Sequence, residues 1–396
     1  MTDKGDRIKA FFTNPVIVYA LGLVLALLAT ATELARSRAE NLMVFRDATQ
    51  LFWQGISAYT DGFTEQHGRF FLYSPVFNIL FTPFAFLPAW ISGLLWNTIN
   101  YTLLFLGIRK FNIQRSVASG RSADASRAAT AQMAFYLLPI VVVSVFCFQY
   151  NLVVCYLFVW AFVLLEKERP FWAVLLIMIS ATTKIYGIVE IGLLFCYPKV
   201  WRNIGYAALC GIGLLALPVL MTGIDGLVPW YQEWASALTS HNTTTGDTGV
   251  YPSLIYAIPG ILPYMRIFQA SVLVFLVVGF FALRKRWTDF RFRVQALGVL
   301  MGYIILFSEA AETHTYVIAL LGYLMCWYVW EKHTLFDKIM FWVVFALICV
   351  VPVDVLCPDE VHQFLNRTLH LNVYSFTIVW ITMIGKTLST PDNNNS

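Results

Sequence analysis

Long apolar runs separated by short polar breaks follow one another along almost the whole chain. A membrane-spanning helix needs about 20 mostly apolar residues to cross the hydrocarbon core of a bilayer. About twelve runs approach that length, so the pattern predicts an all-α polytopic membrane protein. The pair at 171–183 and 186–198 is short, which predicts tilted, broken or internally packed helices. The predicted spans lie near residues 16–31, 91–108, 131–148, 152–165, 171–183, 186–198, 204–222, 267–283, 294–308, 315–330, 339–354 and 371–385.

Residues 75–88 form an apolar segment that is short and contains three prolines. We interpret it as an interfacial or re-entrant piece rather than a span. Twenty of the 27 lysines and arginines then fall on one side of the membrane, and the positive-inside rule makes that side cytoplasmic. Both termini are therefore predicted to be cytoplasmic in a multi-pass protein of the plasma (inner) membrane. The long loops at 33–90 and 223–265 are predicted to face the extracytoplasmic side.

The composition excludes several classes of protein. Hydrophobic residues make up 59% of the chain and charged residues 13%, which is half of the roughly 25% charge of a soluble protein. This argues against a disordered chain and against a soluble enzyme, and the net charge of +4 follows from the positive-inside bias without a nucleic-acid partner. No cysteine or histidine spacing is typical of a zinc site. We predict one integral-membrane domain over 1–386 and a cytoplasmic tail over 387–396.

Polar residues collect in the predicted extracytoplasmic segments, where ionisable groups near the membrane are functional candidates. In residues 40–59, one helical face carries Leu42, Phe45, Thr49, Phe52 and Trp53, which predicts an amphipathic helix on the membrane surface. The other clusters are Tyr73 before a proline, Gln149 with Asn151, Lys184 between two short spans, and Glu309, Glu312 and His314 in one turn. Glu190 is the exception inside a span, and we interpret it as a buried hydrogen-bond partner.

These motifs, taken in order, resemble those of glycosyltransferase family 87, polyprenol-phosphate-mannose-dependent mannosyltransferases of the GT-C superfamily. The resemblance covers about residues 14–330. It rests on the segments NLMVFRDATQLFWQGISAYT, FLYSPVF, FQYNLVV, TTKIYGIVEIGLLFCYPKVWRN and SEAAETHTYVIAL. The chain departs from the family pattern where the family's early acidic residue falls on Asn41, between Glu40 and Asp47, and where a single histidine, His314, occupies the late loop.

The resemblance implies a GT-C-like bundle of about 12 helices and an inverting sugar transfer from a polyprenyl-phosphate donor to a lipid or glycan hydroxyl outside the cytoplasm. Such chemistry needs a carboxylate to accept the hydroxyl proton and cationic groups for the leaving phosphate. The candidate bases are Asp47, Glu40 and Glu312. The candidate donor-binding residues are Lys184, His314, Arg46, Arg69, Tyr73, Gln149, Asn151, Asn41 and Tyr186.

Two other functions are compatible with the same residues. One is a transporter or flippase for a lipid-linked sugar, which would use the basic and aromatic groups without chemistry. The other is a non-catalytic subunit of a glycosylation complex, which the Asn41 departure favours. No cofactor is predicted; a divalent ion is compatible with the acids of the first loop, although no firm ligand set is visible.

Overall fold

The computed structural model describes residues 12–244, 252–353 and 356–389, and most of these residues are helical, with no β-strand among them. This confirms the predicted all-α fold class. The predicted tail therefore lies largely outside the described residues. The helices are α1 Pro15–Ala35, α2 Glu40–Trp53, α3 Asp61–His67, α4 Pro75–Ala85, α5 Ala89–Ala118, α6 Ala123–Phe146, α7 Asn151–Leu165, α8 Pro170–Lys184, α9 Gly187–Glu190, α10 Val200–Ala216, α11 Val219–Thr244, α12 Leu254–Ala257, α13 Met265–Ala282, α14 Phe290–Leu306, α15 Tyr316–Val329, α16 Leu335–Phe345, α17 Asp359–His362 and α18 Leu371–Ser389.

Four helical segments are each long and apolar enough to cross a membrane: α1, α5, α6 and Leu262–Ala282, which contains α13. Two further pairs meet the same criterion if each bent pair counts as one span. These are α10 with Val219–Ser240, which is most of α11, bent by 97°, and Asp359–Thr368 with α18, bent by 52°. Every predicted apolar run contains helix, and several of these helices, such as α7 and α8, are shorter than a full crossing. The chain is a polytopic membrane protein.

The segment at 75–88 forms the helix α4 of 11 residues. At 1.5 Å per residue it is about 16 Å long, roughly half the hydrocarbon thickness of a bilayer. Side chains of α2 hold it in place: Gln50 Nε2 donates to the carbonyl of Ala85 at 2.6 Å, and Trp53 Nε1 donates to Thr82 Oγ1 at 2.8 Å. The predicted amphipathic helix is present as α2, with Trp53 only partly buried. Helices α2 and α4 therefore form one packed layer.

The short pair of spans is broken, as predicted. Helix α8 ends at Lys184, Ile185 takes a positive φ of 48°, and the chain restarts as α9 before a 3₁₀ turn. A Cβ at Gly187 would collide with the backbone of α8, so a glycine is required at this return. Glu190 is fully buried, but neither of its carboxyl oxygens has a hydrogen-bond partner among the described residues. Its predicted role as a hydrogen-bond partner was wrong.

The centre of the molecule is the pair α14 and α15, whose residues are almost all buried. The two helices approach closely at Gly298 and Gly322. A Cβ on Gly298 would collide with Cys326 and with the carbonyl of Gly322. Small residues at such a crossing let helix backbones pack tightly without a hydrophobic driving force from water. This rigid pair ends at residues 307–315, which places that turn in a fixed position.

The segment predicted as a second outer loop, 223–265, is largely helical. Helix α11 turns at Gly223, where φ is 67°, and continues to Thr244; residues 245–251 lie outside the described part. Trp234 Nε1 donates to the carbonyl of Leu72 at 3.0 Å, and the Trp230 ring lies 5.0 Å from that of Phe52. Helix α11 therefore covers the segment that carries α2 and α3.

Candidate active site

Lys184, at the end of α8, is at the centre of a polar cluster. Its Nζ donates to Oδ1 of Asn151 at 2.9 Å, at the start of α7. The same ammonium group lies 5.6 Å from the ring centre of Tyr73 and 5.1 Å from that of Tyr186. Aromatic faces attract a cation without neutralising it. These three partners thus hold the ammonium group of Lys184 in position without forming an ion pair with it.

The turn between α14 and α15 brings Glu312 and His314 to this cluster. His314 Nε2 lies 2.6 Å from Oε2 of Glu312, and His314 is buried while Glu312 is half-buried. Burial alone would raise the pKa of Glu312, but the charge of His314, with those of Lys184 and Arg69, lowers it below its ordinary value. Burial opposes the charged form of His314, yet the carboxylate of Glu312 raises the pKa of His314 above its ordinary value. Both groups are charged at neutral pH.

Arg69 connects this turn to α2. Its Nε donates to Oε2 of Glu40 at 2.7 Å, at the start of α2. Its charge also acts on Glu312. Three cationic side chains, those of Lys184, Arg69 and His314, therefore share the carboxylates of Glu312 and Glu40. This arrangement leaves an excess of positive charge.

The remaining amide groups meet at the turn between α6 and α7. Asn41 Nδ2 donates to the carbonyl of Cys147 at 2.6 Å, and Asn151 Nδ2 lies 3.5 Å from Thr315 Oγ1. Gln149 is buried in the same turn. Tyr186 reaches Ser308 with an oxygen–oxygen distance of 3.4 Å. Asn151, Tyr73 and Tyr186 therefore surround Lys184, while Asn41 and Gln149 lie at the neighbouring turn.

Asp47 and Arg46 lie further along α2. Asp47 is seven residues after Glu40, which is about two turns or 10 Å along the helix. Its Oδ2 lies 3.6 Å from Nε2 of His67. Burial raises the pKa of Asp47 above its ordinary value, although His67 and Arg46 act in the opposite direction. Arg46 Nη1 donates to the carbonyl of Leu87, so this guanidinium group holds α2 to the end of α4.

Two neighbours of the cluster were not identified from the sequence. His67 faces Asp47 from the end of α3, and Tyr150 lies within 2.9 Å of Thr183 Oγ1 with its ring 5.4 Å from that of Tyr73. Tyr150 lies inside the motif FQYN, so the sequence could have identified it as part of the site. His67 lies in a segment without such a motif, and its contact with Asp47 depends on how the loop folds back.

A divalent ion has no evident ligand set in this cluster. Within residues 12–244, 252–353 and 356–389, no group of three or more histidine, cysteine or acidic side chains is arranged to hold a metal. The carboxylates of Glu40 and Glu312 are instead paired with Arg69 and His314. Both carboxylates thus have positively charged partners, so the cluster is better suited to binding an anion.

Comparison with known proteins identifies the family. No curated protein matches the chain. The family model described as glycosyltransferase family 87 matches residues 71–308, which is more than half of the chain. The matched segment contains Tyr73, Gln149, Asn151 and Lys184, whereas α2, Glu312 and His314 lie outside it. The protein is a membrane glycosyltransferase by family, and the chain belongs to glycosyltransferase family 87.

Proposed function

We propose that this protein transfers mannose from a polyprenyl-phosphate donor to a hydroxyl group of a lipid or glycan acceptor, with inversion at the anomeric carbon. The proposal places the reaction on the extracytoplasmic face of the plasma membrane. The observation that carries it is the convergence of Lys184, Arg69 and His314 on Glu312, with Arg69 also paired to Glu40 at the start of α2, the helix that carries Asp47. The choice of mannose and of a polyprenyl donor rests on the resemblance of the motifs.

The cationic side of the cluster is suited to a phosphate leaving group. When the bond between the sugar and the phosphate breaks, negative charge grows on the phosphate oxygens. Cations and hydrogen-bond donors that are already in place stabilise that charge without reorganising. A neutral amide and two aromatic rings contact Lys184, so its ammonium group provides such a charge. Arg69 and His314 add donors from two other segments.

Asp47 is the best placed of the three candidate bases. Glu312 is paired with His314, and its lowered pKa makes it a weak proton acceptor. Glu40 is paired with Arg69. Asp47 has a raised pKa and lies about two helical turns from the Glu40–Arg69 pair. An inverting displacement requires the base and the leaving group on opposite sides of the sugar, which favours a base that is not paired with Lys184, Arg69 or His314.

The reaction then runs in one step. The acceptor hydroxyl oxygen forms a bond to the anomeric carbon while the bond from that carbon to the phosphate oxygen breaks. The electron pair of the broken bond stays on the phosphate, facing Lys184, Arg69 and His314. Asp47 accepts the hydroxyl proton. Asn41, Gln149, Asn151, Tyr73 and Tyr186 line the sugar, and the aromatic rings of α4 provide an apolar surface for the lipid chain.

The test measures consumption of polyprenyl-phosphate-mannose by the purified protein in lipid nanodiscs, with a membrane lipid extract as the source of acceptor. We expect Asp47→Asn to lower kcat by a factor of about 10² to 10⁴, because general-base catalysis contributes that much. Asp61→Asn, on the exposed start of α3, is the matched control and should retain full activity. Full activity in Asp47→Asn would remove Asp47 as the base, and Glu312→Gln and Glu40→Gln then distinguish the other two.

A transport function has one observation in its favour. Glu190 is a fully buried carboxyl group in a broken apolar segment, and such groups occur in transporters that bind ions or protons. A fluorescent polyprenyl-phosphate-sugar in proteoliposomes distinguishes the functions. Movement of the lipid between leaflets that Glu190→Gln abolishes, without any sugar transfer, would support a transporter.

A further inference from the structure

We propose that His67 is a positioning residue for Asp47: its imidazole ring faces the catalytic carboxylate from another helix and supports the ionised form of that carboxylate in the partly buried site. The proposal rests on the function proposed above for Asp47. It assigns a role to a residue that lies outside every motif of the resemblance and before the segment matched by the family model. The observation behind it is the 3.6 Å separation between His67 Nε2 and Asp47 Oδ2.

The fold fixes the imidazole in this place. His67 is the last residue of α3, and Gly68 follows with a φ of 63°, which turns the chain back at once. The ring of His67 lies 4.3 Å from that of Phe63, which is buried. The Arg69–Glu40 ion pair then joins the next residues to the start of α2. Contacts on both sides of His67 therefore hold its ring against α2.

The burial of His67 gives the contact its significance. The side chain of His67 is 11% exposed and that of Asp47 is 31% exposed. Nε2 of His67 makes no hydrogen bond to any described residue, and Asp47 is the acid that it faces. A buried histidine nitrogen without a hydrogen bond costs free energy. The orientation of this nitrogen towards a carboxylate must therefore bring a compensating gain. Electrostatic support of that carboxylate provides one.

Few other charges act on Asp47. Arg46 is its neighbour on α2, and its guanidinium group also binds the carbonyl of Leu87. Helix α4, which packs against α2, contains no titratable side chain. The pair formed by Arg69 and Glu40 lies two turns away. His67 is therefore the main cation that faces Asp47 from another element.

The function of such a cation follows from the chemistry of a base. A carboxylate that is removed from water tends to take up a proton, and a protonated carboxyl group cannot accept one from the acceptor. A positive charge at 3.6 Å opposes this protonation. With His67 in place, Asp47 stays ionised to lower pH, and the enzyme remains active over a wider acid range.

The experiment is a pH profile of kcat/KM for donor consumption in nanodiscs. Replacing His67 with glutamine removes the charge, so we expect the acid limb of the profile to move to higher pH by about one unit, as expected for the loss of an ion pair at this distance. His67→Lys, which keeps a cation, should restore much of the wild-type limb. Glu65→Gln, exposed on the same helix, is the matched control and should leave the profile unchanged.

The outcomes separate this proposal from the function on which it rests. If Asp47→Asn is inactive and His67→Gln lowers activity equally at every pH, His67 has a structural role and the proposal is overturned. If Asp47→Asn is fully active, the assignment of the base itself fails. His67→Asn is a second neutral replacement should His67→Gln not fold, with thermal unfolding in detergent as the check.

Discussion

The two ends of the helical bundle use charge differently. At the end far from the candidate site, Arg293 donates two hydrogen bonds to Glu166, at 2.6 and 2.8 Å, and Tyr197 donates a third at 2.5 Å. At the site end, Glu312 faces His314, Lys184 and Arg69 together. In the first arrangement, the charges of Arg293 and Glu166 offset each other. The second holds more cations than carboxylates.

This difference separates a structural ion pair from a binding site. Removing charges from water costs free energy that a close partner of opposite sign must offset. The Glu166–Arg293 pair meets that condition and connects the end of α7 to α14. At the site end, Lys184 is held by an amide and two aromatic rings. In the proposed reaction, the phosphate of the donor offsets its charge.

The largest effect expected from this comparison is on stability at the far end. The side chains of Arg293 and Glu166 are 14% and 10% exposed. Glu166→Gln leaves the guanidinium group of Arg293 partly buried without its counter-charge, and we expect the free energy of unfolding to fall by about 3–5 kcal/mol. Unfolding in mixed micelles measures it, and sugar transfer per folded molecule should be retained.

Glu331→Gln is the matched control for that measurement. It removes the partner of Arg291, whose ion pair at 2.7 Å resembles the first in length, but Glu331 is 67% exposed. An exposed pair contributes about 1 kcal/mol or less. Equal losses of stability in Glu166→Gln and Glu331→Gln would contradict the structural role assigned to the far end.

Lys184 is expected to show the next largest effect, and on activity instead of stability. Lys184→Met keeps the length of the side chain and removes its charge. We expect kcat/KM to fall by a factor of about 10² to 10³, as when one stabilising group for transition-state charge is removed. Inhibition by polyprenyl phosphate, which lacks the sugar, should weaken in parallel because the variant loses a contact to phosphate. Lys167→Met, exposed at the far end, controls for the loss of a positive charge.

The predictable part of this molecule depends on local sequence. The apolar runs predicted a helix at each proposed span, and the two-faced pattern of residues 40–59 predicted α2, which ends earlier, at Trp53. The motif residues Asn151, Lys184 and Tyr186 were predicted as one group, and the structure places them in contact. The contact between Asp47 and His67 was not predicted, because it depends on the left-handed turn at Gly68 and on the packing of α3. Glu190 shows the same limit: its burial follows from hydropathy, whereas its lack of a hydrogen-bond partner among the described residues depends on three-dimensional packing.

The smallest expected effect concerns the pH dependence of the Glu312–His314 pair. Glu312 has a lowered pKa when folded, so its contribution to stability is present above its unfolded pKa and is lost as the pH falls towards the folded value. His314 has a raised pKa of about 9 when folded, so its contribution is complete below its unfolded pKa and is lost as the pH rises through about 9. Both contributions are present together between about pH 4.5 and 6.5.

A double-mutant cycle with Glu312→Gln and His314→Gln measures this coupling as shifts in the melting temperature in detergent. We expect the coupling to be largest between about pH 4.5 and 6.5 and to shrink steadily towards pH 9. Because Glu312 is partly open to solvent, high salt should weaken the coupling as well. A coupling that stays constant from pH 5 to pH 9.5 would mean that the two side chains do not form a charged pair. The site end would then hold Lys184 and Arg69 as its cations, and the contrast with the far end would depend on those two residues.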